Sequence, residues 1–290
     1  MEEKIVARDF TSVTPSARWM ILLKGHTNVP FAREVAEWLE YPVKYVPDFK
    51  KRDFTFWAST LGLERRYYSI NQLLDDLTIG NILELSSGYS FRGLAYARQK
   101  GVHYIDTDLP EVIFTKKKIL DGIKMDRSDP VGKLELLPLN ALDKDGFQEI
   151  VGHFPPGEVV VVNEGLLGYL VRQEKEVLCS IVHAVLKERG GYWITADIGL
   201  KDKESKLGLQ FTDKIKEFNK QQDTEGNSFQ SFKEAESFFN EMGFVLDKEA
   251  KTKYTEMSSF KYMVRSMTLK HFIKLRNRGN IMATWRLRAV

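Results

Sequence analysis

From Gly80 onward, short apolar runs alternate with longer stretches whose apolar residues recur every three or four positions. The first pattern predicts strands and the second amphipathic helices. Strands are expected at Ile82-Leu83, Val102–Ile105, Leu134–Leu137, Val159–Val162 and Tyr192–Ala196, with another beginning over Phe244–Leu246. The four successive valines of Val159–Val162 present no polar face, which predicts a central strand of a parallel sheet. Ile281–Leu287 alternates apolar and polar residues and predicts a last, half-exposed strand. Helices are expected from Phe91 to Gln99, from Pro110 through Ile123, around Val177–Val185, and from Phe232 to Met242 with Gly243 as the stop. Such alternation specifies an α/β layered fold with a mainly parallel sheet, whose ligands bind beyond the carboxyl ends of the strands.

The first 78 residues read differently. Ser16–Leu23 is helical from a Thr14-Pro15 start, and Val29–Leu39 carries Phe31, Val35, Ala36 and Leu39 at helical spacing. Pro42 and Pro47 break the run, and an aromatic group follows: Phe54, Phe56, Trp57, Tyr67 and Tyr68. Ser69 and Gln72 have capping-box spacing, which predicts a short helix opening there and running to about Leu77. The chain therefore divides into a helical cap or acceptor region, 1–78, and an α/β domain, 79–290. The polar stretch at 200–228 is expected as an insertion or lid.

The chemistry concentrates at NILELSSGYSFRG, Asn81–Gly93, read with VHYIDTDLP, Val102–Pro110. Strand, glycine turn, helix, strand and terminal acid form the first half of a nucleotide-binding βαβ unit. A dinucleotide requires G-x-G-x-x-G, because a pyrophosphate sits on the helix N-terminus. Here Ser86 stands at the first glycine position and only Gly88 and Gly93 remain in register. That pattern suits a phosphate-free nucleoside ligand with an acid at the ribose, and S-adenosylmethionine fits the description. The strand-end rule marks Gly88, Asp106, Asp108, Asn140, Glu164 and Asp197 as the residues to follow.

These segments resemble the leucine carboxyl methyltransferase and polyketide O-methyltransferase family of class I S-adenosylmethionine methyltransferases. ELSSGYSFRG resembles its E-L-G-A-G-L-D-T-R turn, YIDTDLPEVI its Y-x-E-V-D-L-P-x-V-I, NEGLLGYL its A-E-G-V-L-x-Y-L, and TPSARWMILLKG its N-terminal T-A-x-x-x-A-x-x-R-A. The resemblance implies a doubly wound, mainly parallel seven-stranded sheet of the Rossmann-like methyltransferase type, closed at one edge by an antiparallel pair. It also implies the cofactor S-adenosylmethionine and a set of contacts. Gly88 lies against the methionine part, Arg66 holds the cofactor carboxylate, and Asp108 meets the ribose, with Asp106 where the family often has Glu. Asn140 and Ala141 flank the adenine, Glu164 is the acid of E-G-V-L, Glu84 is the strand-end acid, and Arg92 is the arginine after the turn. Ser86, Ser90 and Asn140 depart from the family's glycine and two aspartates.

Plainer readings stand beside these. Asp108 also suits a helix cap, Glu84 a backbone or helix contact, and Arg66 a helix flank. Lys24 reads as a solvated flank, although it matches a family arginine near the acceptor side. The aromatic group reads as core, Lys116–Lys118 as a solvated face, and Arg276, Arg278, Arg286 and Arg288 as part of a charged edge strand. The five histidines show no metal-ligand spacing, so no metal is expected. The single cysteine, Cys179, excludes an intrachain disulfide and suits a buried, unreactive position in a cytoplasmic protein. A net charge of +3 is too small to imply nucleic acid, and no apolar run is long enough for a membrane span, so neither is expected as a partner. With no histidine in the matched motifs, the reading favours an acceptor that is already acidic, since a carboxylate needs no base. The expected activity is O-methylation, at a carboxylate or hydroxyl, of a small molecule. A protein C-terminal carboxylate, a catalytically silent cofactor- or partner-binding role and a nicotinamide oxidoreductase stay open.

Overall fold

The computed structural model describes residues 14–50, 52–122, 131–201 and 227–290. Seven strands form one sheet: β1 (Asn81–Leu85), β2 (His103–Asp108), β3 (Lys133–Pro138), β4 (Val159–Asn163), β5 (Gly191–Gly199), β6 (Phe244–Glu249) and β7 (Met282–Ala289). Their order is β3-β2-β1-β4-β5-β7-β6. The first five are mutually parallel, and β7 runs antiparallel to both β5 and β6. The valine strand lies between β1 and β5, with Val160 opposite Ile82 and Tyr192, and all five of its residues are buried.

Period-two alternation distributes the strand side chains between two cores. Leu83, Val159, Val161, Trp193 and Leu287 face one layer, built from α6 (Lys144–Val151), α7 (Arg172–Arg189) and α8 (Phe232–Glu241). Ile82, Val160, Val162 and Ile194 face the other, where α3 (Phe54–Leu74) contributes Ile70, Leu73 and Leu74. The first helices, α1 (Thr14–Lys24) and α2 (Ala32–Glu40), pack with α5 (Pro110–Gly122) in a third cluster around Tyr67 and Phe91. Two short helices precede the last strand, α9 (Phe260–Ser266) and α10 (Leu269–Arg278), and α4 (Arg92–Tyr96) follows the glycine turn.

The α3 helix corrects one expectation. Asp53 caps it, accepting from the Phe56 N–H at 2.9 Å, and the helix runs unbroken through Ser69. Ser69 does not open a new helix. Its hydroxyl bonds back to the Arg66 carbonyl at 2.9 Å and meets Thr284 Oγ1 at 2.6 Å, so tertiary packing against β7 absorbs the polar group. The last strand is a second correction. β7 is not an edge: it is flanked by β5 and β6, and Ala283 to Arg286 and Leu287 are all buried. Arg286 is held by Asp247 at 2.5 Å, which turns an apparent solvent-side charge into an ion pair across the sheet. The segment expected as an insertion, 200–228, falls mostly outside the described residues.

Trp193 is fully buried; its indole N–H donates to Asn163 Oδ1 at 2.7 Å, and its ring packs edge-on against Phe239. Trp193→Ala is expected to destabilise the protein by roughly 3–5 kcal/mol in urea unfolding. Val131→Ala, at a position 66% exposed, should stay within about 0.5 kcal/mol of the parent.

Candidate functional site

Strand order reverses between β1 and β4, since β1 leads outward to β2 and β3 while β4 begins the other half. At that switch point the carboxyl ends of the strands open onto a cavity of about 1000 Å³, including its mouth. Its floor is Glu84 with the turn Ser86–Gly88. One wall is Asp108 and Leu109, the next Leu139 to Leu142, and the third Glu164 to Leu166 with Tyr169 and Leu170. Helix α1 closes the remaining side with Ala17, Met20, Ile21 and Lys24, which recur at i, i+3, i+4 and i+7.

The turn is tied to β2 by its backbone. The Ser87 N–H donates to the Thr107 carbonyl at 3.0 Å, and the Thr107 hydroxyl donates to the Glu84 carbonyl at 2.8 Å. Gly88 donates its N–H to Asp108 Oδ2 at 2.7 Å, while Asp108 Oδ1 accepts from the Leu109 N–H at 2.7 Å. Gly88 has φ +55°, and a Cβ there would lie 3.3 Å from the Ala17 Cβ, so the bare backbone lets α1 lie over the turn. Ser86 also has a positive φ, 50°. A left-handed residue is thus held at the first glycine position, at a steric cost of about 1 kcal/mol for a residue with a Cβ.

Beneath the cavity lies a chain of alternating charges. Glu84 accepts from Arg92 Nε at 3.1 Å and from the Tyr104 hydroxyl at 2.7 Å. Arg92, with no exposed side-chain surface, donates to the Tyr67 carbonyl at 2.8 Å, to the Asn71 side chain, and to Glu164 Oε2 at 2.7 Å. Its guanidinium also lies 4.2 Å from the Tyr67 ring centroid. Glu164 Oε1 in turn accepts from Lys24 Nζ at 2.6 Å. Burial resists ionisation of Glu164, but Lys24, Arg66 and Arg92 outweigh it and hold its carboxyl at about 2. Burial pulls the Lys24 ammonium down against the attraction of Glu164. The two partners shift for opposed reasons, so the pair stabilises less than the carboxyl's shift alone implies.

A second buried pair supports the turn from behind. Lys116 donates to Asp106 Oδ2 at 2.7 Å and to the Ser87 hydroxyl at 2.9 Å, and neither Lys116 nor Asp106 is exposed. Burial raises Asp106 to about 6, with Lys116 opposing the rise and Glu84 adding to it. At the end of β5, Asp197 accepts backbone N–H groups from Gly165 and Leu166 at 2.7 Å and from Leu167 at 3.1 Å, which fixes the turn carrying Glu164.

Of the residues singled out in the sequence, Glu84, Gly88, Asp108, Asn140, Ala141 and Glu164 line this one cavity. Arg66 and Asp106 stand behind its wall. Arg66 is bound to Asp197 at 2.9 Å, and a Cβ on Gly165 would lie 3.0 Å from its terminal nitrogen. Two residues read as solvated are buried instead: Lys24, because Glu164 neutralises it, and Lys116, because Asp106 does. Lys24 is the cation among the described residues lining the cavity. Its signal was available in α1, where it continues the apolar stripe of Ala17, Met20 and Ile21 rather than the polar face. The aromatic group is core as expected, with Phe54, Trp57 and Tyr67 buried.

No family model matches the chain, and no curated protein matches it in sequence. Solved structures share its fold. A DUF574 family protein from Streptomyces avermitilis superposes with a TM-score of 0.56 at 13% identity, over 95% of this chain and 97% of that one. A magnesium protoporphyrin IX methyltransferase from Synechocystis, solved with bound SAH, superposes with a TM-score of 0.51 at 9% identity, over 99% and 100%. The seven-stranded mixed sheet with flanking helices is therefore a fold that a methyltransferase also uses.

Arg92→Met leaves two carboxylates beneath the cavity without their shared cation and is expected to cost about 3–5 kcal/mol in denaturant unfolding. Lys24→Met and Glu164→Gln combined should cost less than the sum of the two singles, because the double variant strands neither charge. Glu164 has a folded-state pKa below its ordinary 4.5, so its contribution is complete above that pH and is lost as pH falls toward 2. Melting temperatures measured across that range should converge for the parent and Glu164→Gln at the acid end and separate above it.

Proposed function

We propose that this chain is an S-adenosylmethionine-dependent methyltransferase that methylates an oxygen, carboxylate or hydroxyl, of a small-molecule acceptor. The observation that carries the reading is the pairing of bare backbone at Gly88 with the Asp108 carboxylate in a cavity at the sheet's switch point. The residues fit the cofactor. The Gly88 turn lacks the glycines of a diphosphate cradle, and Ser90, at the cavity wall, has a buried hydroxyl with no hydrogen-bond partner among the described residues. The likeness in fold to a methyltransferase solved with SAH, and the motif resemblance to O-methyltransferases, support the same ligand.

When bound, the cofactor supplies an activated methyl group on a sulfonium. The chain's own residues have positioning roles. Asp108 accepts from the ribose hydroxyls with the lone pairs left by its two backbone donors. Asn140 and Ala141 flank the adenine, and the Asn140 side chain, which caps the Leu142 N–H at 3.0 Å, keeps its amide N–H groups for that edge. Lys24 and Glu164 offer one charge of each sign to the amino-acid end, with Lys24 taking the carboxylate role that the resemblance gives to Arg66. Met20, Ile21 and Leu170 keep water from the reaction. In-line displacement depends on alignment, which rigid neighbours supply. No histidine is among the described residues lining the cavity. An acceptor already ionised at neutral pH, a carboxylate above all, needs no proton removed and suits that lining.

Calorimetry with S-adenosylmethionine tests the site. Gly88→Leu places a side chain against Ala17 at a positive φ, and Asp108→Ala removes the ribose acceptor; each is expected to weaken binding at least tenfold. Equal affinity in all three proteins would remove the assignment. NADH should give no binding signal. Incubation with a library of small carboxylic acids and phenols should release S-adenosylhomocysteine, whereas binding without release would identify a silent cofactor-binding protein.

A further inference from the structure

Helix α1 is bridged to the segment after β4 at two points, and the cavity wall between them is apolar. At the first turn of α1, the Tyr169 hydroxyl donates to Ser16 Oγ at 3.2 Å. At its last turn, Lys24 Nζ donates to Glu164 Oε1 at 2.6 Å. Ser16 and Lys24 are eight residues apart on one helix, a separation of about 12 Å. Between the bridges α1 contributes Ala17, Met20 and Ile21 to the cavity. The segment after β4 contributes Leu166 between its bridged residues and Leu170 beside them. Ile21, Leu166 and Leu170 are buried and belong to the apolar cores, so these parts of the wall are fixed. Met20 is half-buried, and its unbranched side chain adapts to what lies against it.

The charges on the cavity are already matched. Glu84 is paired with Arg92, Glu164 with Lys24 and Arg92, and Asp108 accepts from the Gly88 and Leu109 N–H groups. Lys24 is the cation among the described lining residues, and the methyl-transfer reading gives it to the carboxylate of the cofactor. Among the described residues no cation is left for a second anionic group on the acceptor. No polar side chain of the lining lies between the two bridges to receive a hydroxyl or an amide. A polar group placed there would lose its water without gaining a partner, whereas a hydrocarbon surface gains by leaving water.

We propose that this slot holds the body of the acceptor, a monocarboxylic acid with an apolar chain or ring system up to about 12 Å long, and that Met20 sets the length admitted. The inference rests on the methyl-transfer reading and specifies its acceptor. A lone pair of the acceptor's carboxylate oxygen forms the bond to the methyl carbon as the carbon–sulfur bond breaks, and the electron pair of that bond stays on sulfur. The carboxylate and sulfonium charges cancel and no proton moves. The ester that results is neutral, which suits an apolar wall.

Calorimetry on the full chain saturated with S-adenosylhomocysteine tests the slot. Octanoate and naphthoate are the probes; adipate, gluconate and a short peptide with a free C-terminus are the controls. Each probe should bind at least about tenfold more tightly than any control. Met20→Trp fills the slot and should weaken octanoate about tenfold or more, with the affinity for S-adenosylmethionine within about twofold of the parent. Should that variant perturb folding, Met20→Ala reads the same position by shifting the preference toward longer acids. A control that binds as tightly as the probes, failure of both probes to bind, or Met20 variants with the parent's preferences would overturn the proposal and leave the cofactor assignment standing. Loss of S-adenosylmethionine affinity in both Met20 variants would also overturn it, since Met20 would then serve the cofactor. A parent that binds neither S-adenosylmethionine nor S-adenosylhomocysteine would remove the methyl-transfer reading itself, and the acceptor slot with it.

Discussion

A guanidinium buried without exposed surface is tolerable only if each of its donors is matched, and Arg92 organises the centre of this molecule on that condition. Its fork reaches Glu84 at the end of β1, Glu164 after β4, the Tyr67 carbonyl and the Asn71 side chain on α3, and through Glu164 it reaches Lys24 on α1. Two carboxylates and two cations alternate, so the group is formally neutral and the Coulomb attraction in a poorly solvated interior is large enough to offset the lost hydration. Arginine is suited to the place because its planar donors address several acceptors at fixed angles, while its face rests on Tyr67. The N-terminal helices are joined to the sheet through this network as well as through apolar packing.

The cavity inherits its shape from that arrangement. Glu84 and Glu164 stand at adjacent strand tips, and the cations that neutralise them come from the helices on either side, so α1 is drawn over the opening that β1 and β4 leave between them. Lys116 and Asp106 support the turn from below, and Asp197 fixes the loop after β4 with three backbone hydrogen bonds. Side chains that face the cavity are thereby backed by others that do not. Arg66 belongs to the second group: its charge is spent on Asp197, and the glycine at 165 leaves the room its terminal nitrogens occupy. The aromatic cluster around Trp57 performs a similar service at the far side of α3, where it holds α10 through Leu275 and the end of the 41–49 loop through Phe49.

Much of this architecture is legible in residue order because strands and helices announce themselves by period. The four valines identified the centre of the sheet, since a strand with no polar side requires cover on both faces. The turn at Gly88 and the acid at Asp108 were legible because backbone access and strand-end position are local properties. Positions such as Ser69, Lys116 and Arg286 are hidden from a linear reading for one reason. Each is polar and looks solvent-bound in a linear reading, and each is buried because a partner arrives from elsewhere: Thr284, Asp106 and Asp247 respectively. The alternation of the final strand is real and in a linear reading describes a half-open edge, yet β6 covers its outer side.

Residue order alone determined the layered α/β class, the parallel core and the glycine turn facing a strand-end carboxylate, because these follow from local periodicity and from the steric freedom of single residues. Tertiary structure decided which charges are buried and that Lys24 rather than Arg66 reaches the cavity. Those outcomes depend on contacts between segments far apart in the chain. The free energy of a buried charge is set by its partner and the surrounding dielectric, neither of which is contained in its own neighbourhood of sequence.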